Sequence, residues 1–205
     1  AQSGTTPTQS EQHRTARRWS LRSPFFGIPT TGALVFLCLI FILWCKKMDK
    51  SAYVRSGEQT VAGISFEMMN SAAYDTLGLN TSNIELLSFA IYSYHAFRHY
   101  QPDLAKEICD SIAKWIVNSH GEHNANERKA AIKKYYPILA RGVADAYENN
   151  QTMTTPPHIA LGFDICDIIG NGYTPSRCNV IELGLIVKQF LDKGHEKFKE
   201  HYLKE

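Results

Sequence analysis

The sequence has no CxxC pair, no phosphate-binding glycine loop, no nucleophile motif and no segment that alternates apolar and polar residues with period two. The first absence removes the common zinc and thiol–disulfide sites. The second removes the P-loop and dinucleotide-binding classes, because "GNG" at 170–172 runs into Tyr173, Thr174 and Pro175 and reads as a turn. The last argues against a sheet with one wet face. Basic charge is also missing where a nucleic acid would need it. The net charge is +2, but residues 1–56 carry +6 and residues 57–205 carry −4. A folded domain that is mildly acidic has no electrostatic footprint for a phosphate backbone, so nucleic acid is not an expected partner. No residue pattern recurs at 30–45 residues, the signature of helical repeats.

What the chain does have is one long uncharged run. Between Arg22 and Lys46 no side chain is charged. The strictly apolar part, Ala33 to Cys45, is 13 residues and reaches about 20 Å as a helix, short of the roughly 30 Å hydrocarbon layer. Counting from Phe25 gives 21 residues and the full thickness. Pro29 then falls in the first turns, where a missing amide donor costs little. Trp44, Lys46 and Lys47 sit at the far edge as membrane-interface residues do. A buried core helix would not have basic flanks on both sides, and "ILWCKK" offers no small-residue cleavage site for a secretion signal. The segment 25–45 is therefore read as a single transmembrane helix. Arg14, Arg17, Arg18 and Arg22 precede it, and Lys46, Lys47, Lys50 and Arg55 follow, so the positive-inside rule chooses neither orientation.

Around this helix the sequence divides into a mobile basic tail (1–24), the span (25–45), a polar linker (46–57), a helical domain (58–194) and a charged tail (195–205) that frays. Residues 57–77 form a loose first helix that stops at Gly78. The next opens with Ser82 and Glu85 at capping-box spacing and runs to Tyr100. Its wheel puts Leu86, Leu87, Ala90, Ile91, Tyr94 and Phe97 on one side, with Glu85, Ser88, Tyr92, His95 and His99 opposite. Pro102 starts a third helix with a clean stripe of Leu104, Ile108, Ile112, Trp115 and Ile116. Residues 125–149 are helical but broken or kinked at Pro137. "HIALGFDICDII" (158–169) is apolar almost all round and is expected at the centre, and a last helix ends near Gly194. The expected fold is all-α, a compact bundle of about six helices, with a helical-hairpin solenoid as the alternative.

Candidate chemistry is sparse. His95 and His99 lie one helical turn apart, the spacing that lets two imidazoles share a metal, with His120, His123 and Cys109 the nearest further ligands in sequence. Ala96 stands where a zinc hydrolase motif needs glutamate, and both histidines fall on the polar face, so no metal or other cofactor is expected. Asp164, Asp167 and Glu182 are carboxylates near helical cores. With Ala160, the two aspartates define one narrow stripe, the natural wet edge of that helix. Cys166 and Cys178 are spaced for a disulfide across a helix–turn–helix, which an oxidising compartment would allow. Asn80 and Asn150 head glycosylation triplets that matter only in a secretory lumen. Tyr92, Tyr94, Tyr100, Tyr135, Tyr136 and Tyr147 suit either an interface or the edge of a core.

The expected function is a non-catalytic accessory or assembly subunit of a membrane complex, held by one helix, with the bilayer and other subunits as partners. The alternative is a membrane-tethered metal- or haem-binding protein or enzyme that uses His95 and His99. The Arg- and Ser-rich, acid-poor leader resembles an organelle-targeting segment in composition and favours a mitochondrial or bacterial inner membrane over the secretory pathway.

Overall fold

The computed structural model describes the backbone of residues 30–119, 121–150, 155–168 and 172–203, and side chains from Lys50 onward within those stretches, apart from those of residues 73, 82, 122 and 123. Seven helices and no strand are present among the described residues: α1 (Thr30–Met69), α2 (Ala72–Leu77), α3 (Thr81–His99), α4 (Pro102–Asn118), α5 (Glu122–Glu148), α6 (Pro157–Ile168) and α7 (Val180–His201). By contacts the chain divides into residues 1–42 and residues 43–205, and the bundle is built from the second unit. Among the described residues no helix is long and apolar enough to cross a membrane. The side chains of the expected span 25–45, with Trp44, Lys46 and Lys47, lie outside them, as does the tail 1–24.

The expected linker 46–57 is helical, because α1 runs through it without a break. Lys, Met and Ala are good helix formers, and the stretch holds no proline. Tyr53 and Val54, half-buried, pack against one of the two core clusters, which holds the helix in place. The chain turns at Asn70 and Ser71, where the Ser71 hydroxyl donates to the Met68 carbonyl at 2.7 Å. The short α2 then stops at Gly78, whose φ of +61° suits a residue without Cβ.

α3 is the centre of the bundle, touching α4, α5 and α7. From Ile84 to Ala96 only Glu85 and Tyr94 escape full burial. It supplies Leu87 and Ile91 to one core cluster and Phe89 and Tyr92 to the other. The expectation of a wet face carrying Ser88, Tyr92 and His95 therefore fails, and Phe97, expected inside, is exposed. The hydroxyls of Ser88 and Ser93 go inside because they find partners there. Ser65 on α1 donates to Ser88 at 2.9 Å, and Ser93 donates to the Phe89 carbonyl at 2.7 Å. A satisfied hydroxyl costs little to bury. Asn80, rather than Ser82, caps the helix, its side chain accepting from the Asn83 amide at 3.1 Å.

α4 keeps its predicted stripe, with Ile108, Ile112 and Ile116 buried. α5 continues through Pro137 as one helix, with the proline on an exposed side. There the carbonyl that loses its amide partner can turn to water. At its start Arg128 ties three helices, its guanidinium 3.0 Å from Glu85 and donating to the Ile116 carbonyl at 2.9 Å. α6 is not central. It packs between α5 and α7, with Ala160 and Asp167 exposed and Asp164 half-buried, the narrow wet edge the sequence suggested. α7 passes the expected stop at Gly194 and runs to His201. Gly194 is buried against α3, where a Cβ would collide with Ile91. It is a contact point rather than a terminator. The supposedly fraying tail carries the buried Phe198, and the Ser56 hydroxyl donates to the His201 carbonyl. Because α3 touches α7 and α5 touches α3, α4 and α6, the packing is that of a closed bundle, whereas a solenoid links sequence neighbours only.

Candidate functional site

The densest cluster of polar aromatic groups lies where α3, the end of α5 and α7 meet. His95 is 3% exposed. Its ring is stacked on Phe198 (centroids 5.1 Å apart) and lies edge-on to Tyr147 (4.8 Å). His195 of α7 approaches to 5.0 Å, and His99, one turn on along α3, stands 6.3 Å away. Tyr94, Arg98 and Asp192 complete the walls of a cleft of about 480 Å³. Tyr147 is fixed by its hydroxyl, which donates to the Leu191 carbonyl at 2.6 Å, and its ring stacks on Tyr94.

The electrostatics of the cleft disfavour the charged forms of His95 and His195. Burial pushes the His95 imidazolium down to about 3, with His195, His99 and Lys199 adding smaller effects of the same sign. His195 is lowered by burial first and by Lys199 and His99 next, against an opposing pull from Asp192 and Glu196. A neutral imidazole has one donor and one acceptor nitrogen. Yet His95 Nε2 and His195 Nδ1 are both buried without a hydrogen-bond partner. Each such nitrogen costs about 1–3 kcal/mol unless a water or ligand reaches it. Neutral imidazoles with free nitrogens are also what a transition metal takes. Even so, among the described residues no three His, Cys, Asp or Glu side chains stand close enough to hold an ion as they are.

The sequence singled out His95 and His99 but placed them on a wet face; only His99 is there. His120 and the side chain of His123 lie outside the described residues. Cys109 is a buried thiol whose S–H points at the Ser93 hydroxyl, 3.6 Å away, and burial pushes it up to about 11. His195 was missed because its segment was read as a fraying tail. The signal was available in the spacing of Val187, Phe190, Leu191, Gly194 and Phe198, an apolar stripe that continues past Gly194.

The other expectations dissolve into structure. Cys166 and Cys178 are free thiols buried in the same core cluster, so the expected disulfide is not formed. Asp164 is raised by burial and by Asp167 beside it, but Glu182 sits exposed in the first turn of α7, where a helix N-terminus favours an acid. The three carboxylates form no common site. Tyr92 and Tyr100 are buried, while Tyr94, Tyr135, Tyr136 and Tyr147 are half-buried against the clusters. Their rings close the core.

A different surface is apolar and uncovered. The first two turns of α7 bury Leu183, Ile186 and Val187 and leave Ile181 74% and Leu185 58% exposed, one turn apart, beside the exposed Val180. This stripe was hidden in the sequence because "VIELGLIV" is apolar nearly all round and shows no preferred side. No protein-family model matches the chain, nor does any curated protein or solved structure.

Proposed function

We propose that the chain is a non-catalytic accessory or assembly subunit of a membrane protein complex, anchored by the segment 25–45 and binding partner proteins through its helical domain. The observation that carries this reading is the exposed pair Ile181 and Leu185 at helical i, i+4 spacing on α7. Isolated apolar side chains on a surface need no explanation, but a helical ridge of them fits a groove on another protein. The anchor rests on the 23 uncharged residues from Ser23 to Cys45 with basic flanks. A mitochondrial or bacterial inner membrane fits the basic leader.

Two experiments test the two halves. Alkaline carbonate washing of membranes should leave the intact chain in the pellet, and its release to the supernatant refutes the anchor. Purification in mild detergent from the native host should recover a stoichiometric partner set. The variant Ile181→Glu/Leu185→Glu should lose those partners at unchanged helix content, and an unchanged set refutes the docking surface.

A second reading, metal or haem binding at His95 and His99, draws support from the two unpartnered nitrogens, with His195 as the added ligand. Metal analysis of the purified chain decides it. Stoichiometric metal that is lost in His95→Gln/His195→Gln would favour this reading over the first.

A further inference from the structure

The α4–α5 hairpin carries a groove of about 410 Å³ at the end where the two helices connect. Its floor is apolar: Ala113 and Val117, one turn apart on α4, and Ile132 on α5, all half-buried. Its rim is basic. Lys114 stands on the α4 side, and Lys129 and Lys133, again one turn apart, on the α5 side; all three are exposed. Among the described residues no carboxylate lines the groove. Two acids on the same helices are otherwise engaged. Asp110 holds Lys106 at 2.8 Å, and Glu127 faces a separate cavity beside Arg128. Among the described residues none of the three lysines has an ion-pair partner.

The geometry points to the α4–α5 groove as the docking site for an acidic amphipathic helix of a partner protein. This rests on the partner-binding reading and deepens it, naming the partner's chemistry at a face distinct from the α7 stripe. An apolar floor between two helical walls receives the ridge of a third helix, read as residues at i, i+3, i+4 and i+7. The charges select which helix. Side chains at i and i+4 are about 6 Å apart at their Cβ atoms, so Lys129 and Lys133 match two carboxylates one turn apart on one edge of the ligand. Lys114 meets a third on the opposite edge. A basic or neutral helix would leave three cations unanswered beside a partly dried surface, which is how charge sets specificity at a rim. The groove is concave, whereas a bilayer presents a broad face; a membrane surface would touch the lysines but leave the floor unfilled.

The test uses the full chain in phosphatidylcholine nanodiscs and a fluorescein-labelled helical peptide with leucines at i, i+3 and i+7 flanked by glutamates. Its counterpart has lysine for every glutamate. By anisotropy the acidic peptide should bind at least about tenfold more tightly than the basic one, and salt should weaken it. Lys129→Glu/Lys133→Glu should reverse the preference and Val117→Asp should weaken both peptides, with unchanged helix content. Lys129→Gln/Lys133→Gln should abolish the preference without reversing it, and it serves if charge reversal disturbs folding. Equal binding of the two peptides, no binding of the acidic one at millimolar concentration, or indifference to the lysine changes would overturn the proposal. So would a result in which those changes remove binding to phosphatidylserine vesicles but not to the peptide, since the groove would then be a lipid contact. Ile181→Glu/Leu185→Glu serves as the separating control. If it abolishes native partner binding while the groove variants have no effect, the groove fails and the subunit reading stands.

Discussion

Acid should unfold this domain earlier than its carboxylates alone require, and His95 is the reason. The folded imidazolium is held down to about 3 against an ordinary value of 6.5. The unfolded chain therefore binds the proton first, and stability rises with pH across the interval between the two values. The contribution is fully present above about pH 6.5 and is lost progressively as pH falls towards 3. At pH 5 the folded ring is still neutral, so the loss is set almost wholly by the unfolded value and comes to about 2 kcal/mol relative to pH 7.5. Denaturant unfolding followed by helical circular dichroism at pH 7.5 and pH 5 measures it, with His95→Gln as the reference that cannot titrate. The wild-type chain should lose about 2 kcal/mol more than the variant over that interval. Equal losses would show that His95 ionises in place, and the burial that keeps its ring neutral would be wrong.

Other substitutions probe the packing. Gly194→Ala should destabilise by about 1–3 kcal/mol, because the new methyl meets Ile91 and α7 must move off α3; thermal melts read it. Arg128→Met should cost about 2–3 kcal/mol, since it removes the ion pair with Glu85 and the bond to the Ile116 carbonyl, and chemical denaturation would reveal a smaller effect if water replaces the guanidinium. Tyr147→Phe removes the bond to the Leu191 carbonyl and should cost about 1 kcal/mol while leaving the stacked rings in place. Cys166, raised to about 11 by burial and by Cys178, should resist iodoacetamide at pH 8 until denaturant is added; rapid native labelling would show that the α6–α7 core opens.

Much of the architecture could be read from residues whose local preference and tertiary role coincide. Pro102 starts α4, and its isoleucine stripe faces inward as the periodicity says. Gly78 ends a helix because its conformation needs it. Reading broke down where a residue serves the tertiary structure against its local habit. Gly194 looks like a stop but is a point of close approach. Ser88 looks solvated but bonds within the helical core, as its neighbour Ser93 does, which turned α3 from an amphipathic helix into the bundle's axis. The candidate cleft was half visible for the same reason. His95 and His99 share one helix and reveal themselves by spacing, whereas His195 joins them only through the path of α7. The α7 ridge and the α4–α5 groove depend on which faces neighbours leave uncovered, and no local pattern encodes that.

The bond from Ser56 to the carbonyl of His201 joins positions 145 apart in the chain. Around it, Gly194 and Phe198 seat the last helix on Ile91 and His95. During synthesis, the axis helix must therefore wait with one greasy flank bare until residues 187–198 are translated, since among the described residues it is α7 that covers that flank. A ribosome stalled before Val187 would display that flank to chaperones or to neighbouring nascent chains. Deleting residues 194–201 should yield a sticky product rather than a smaller functional one.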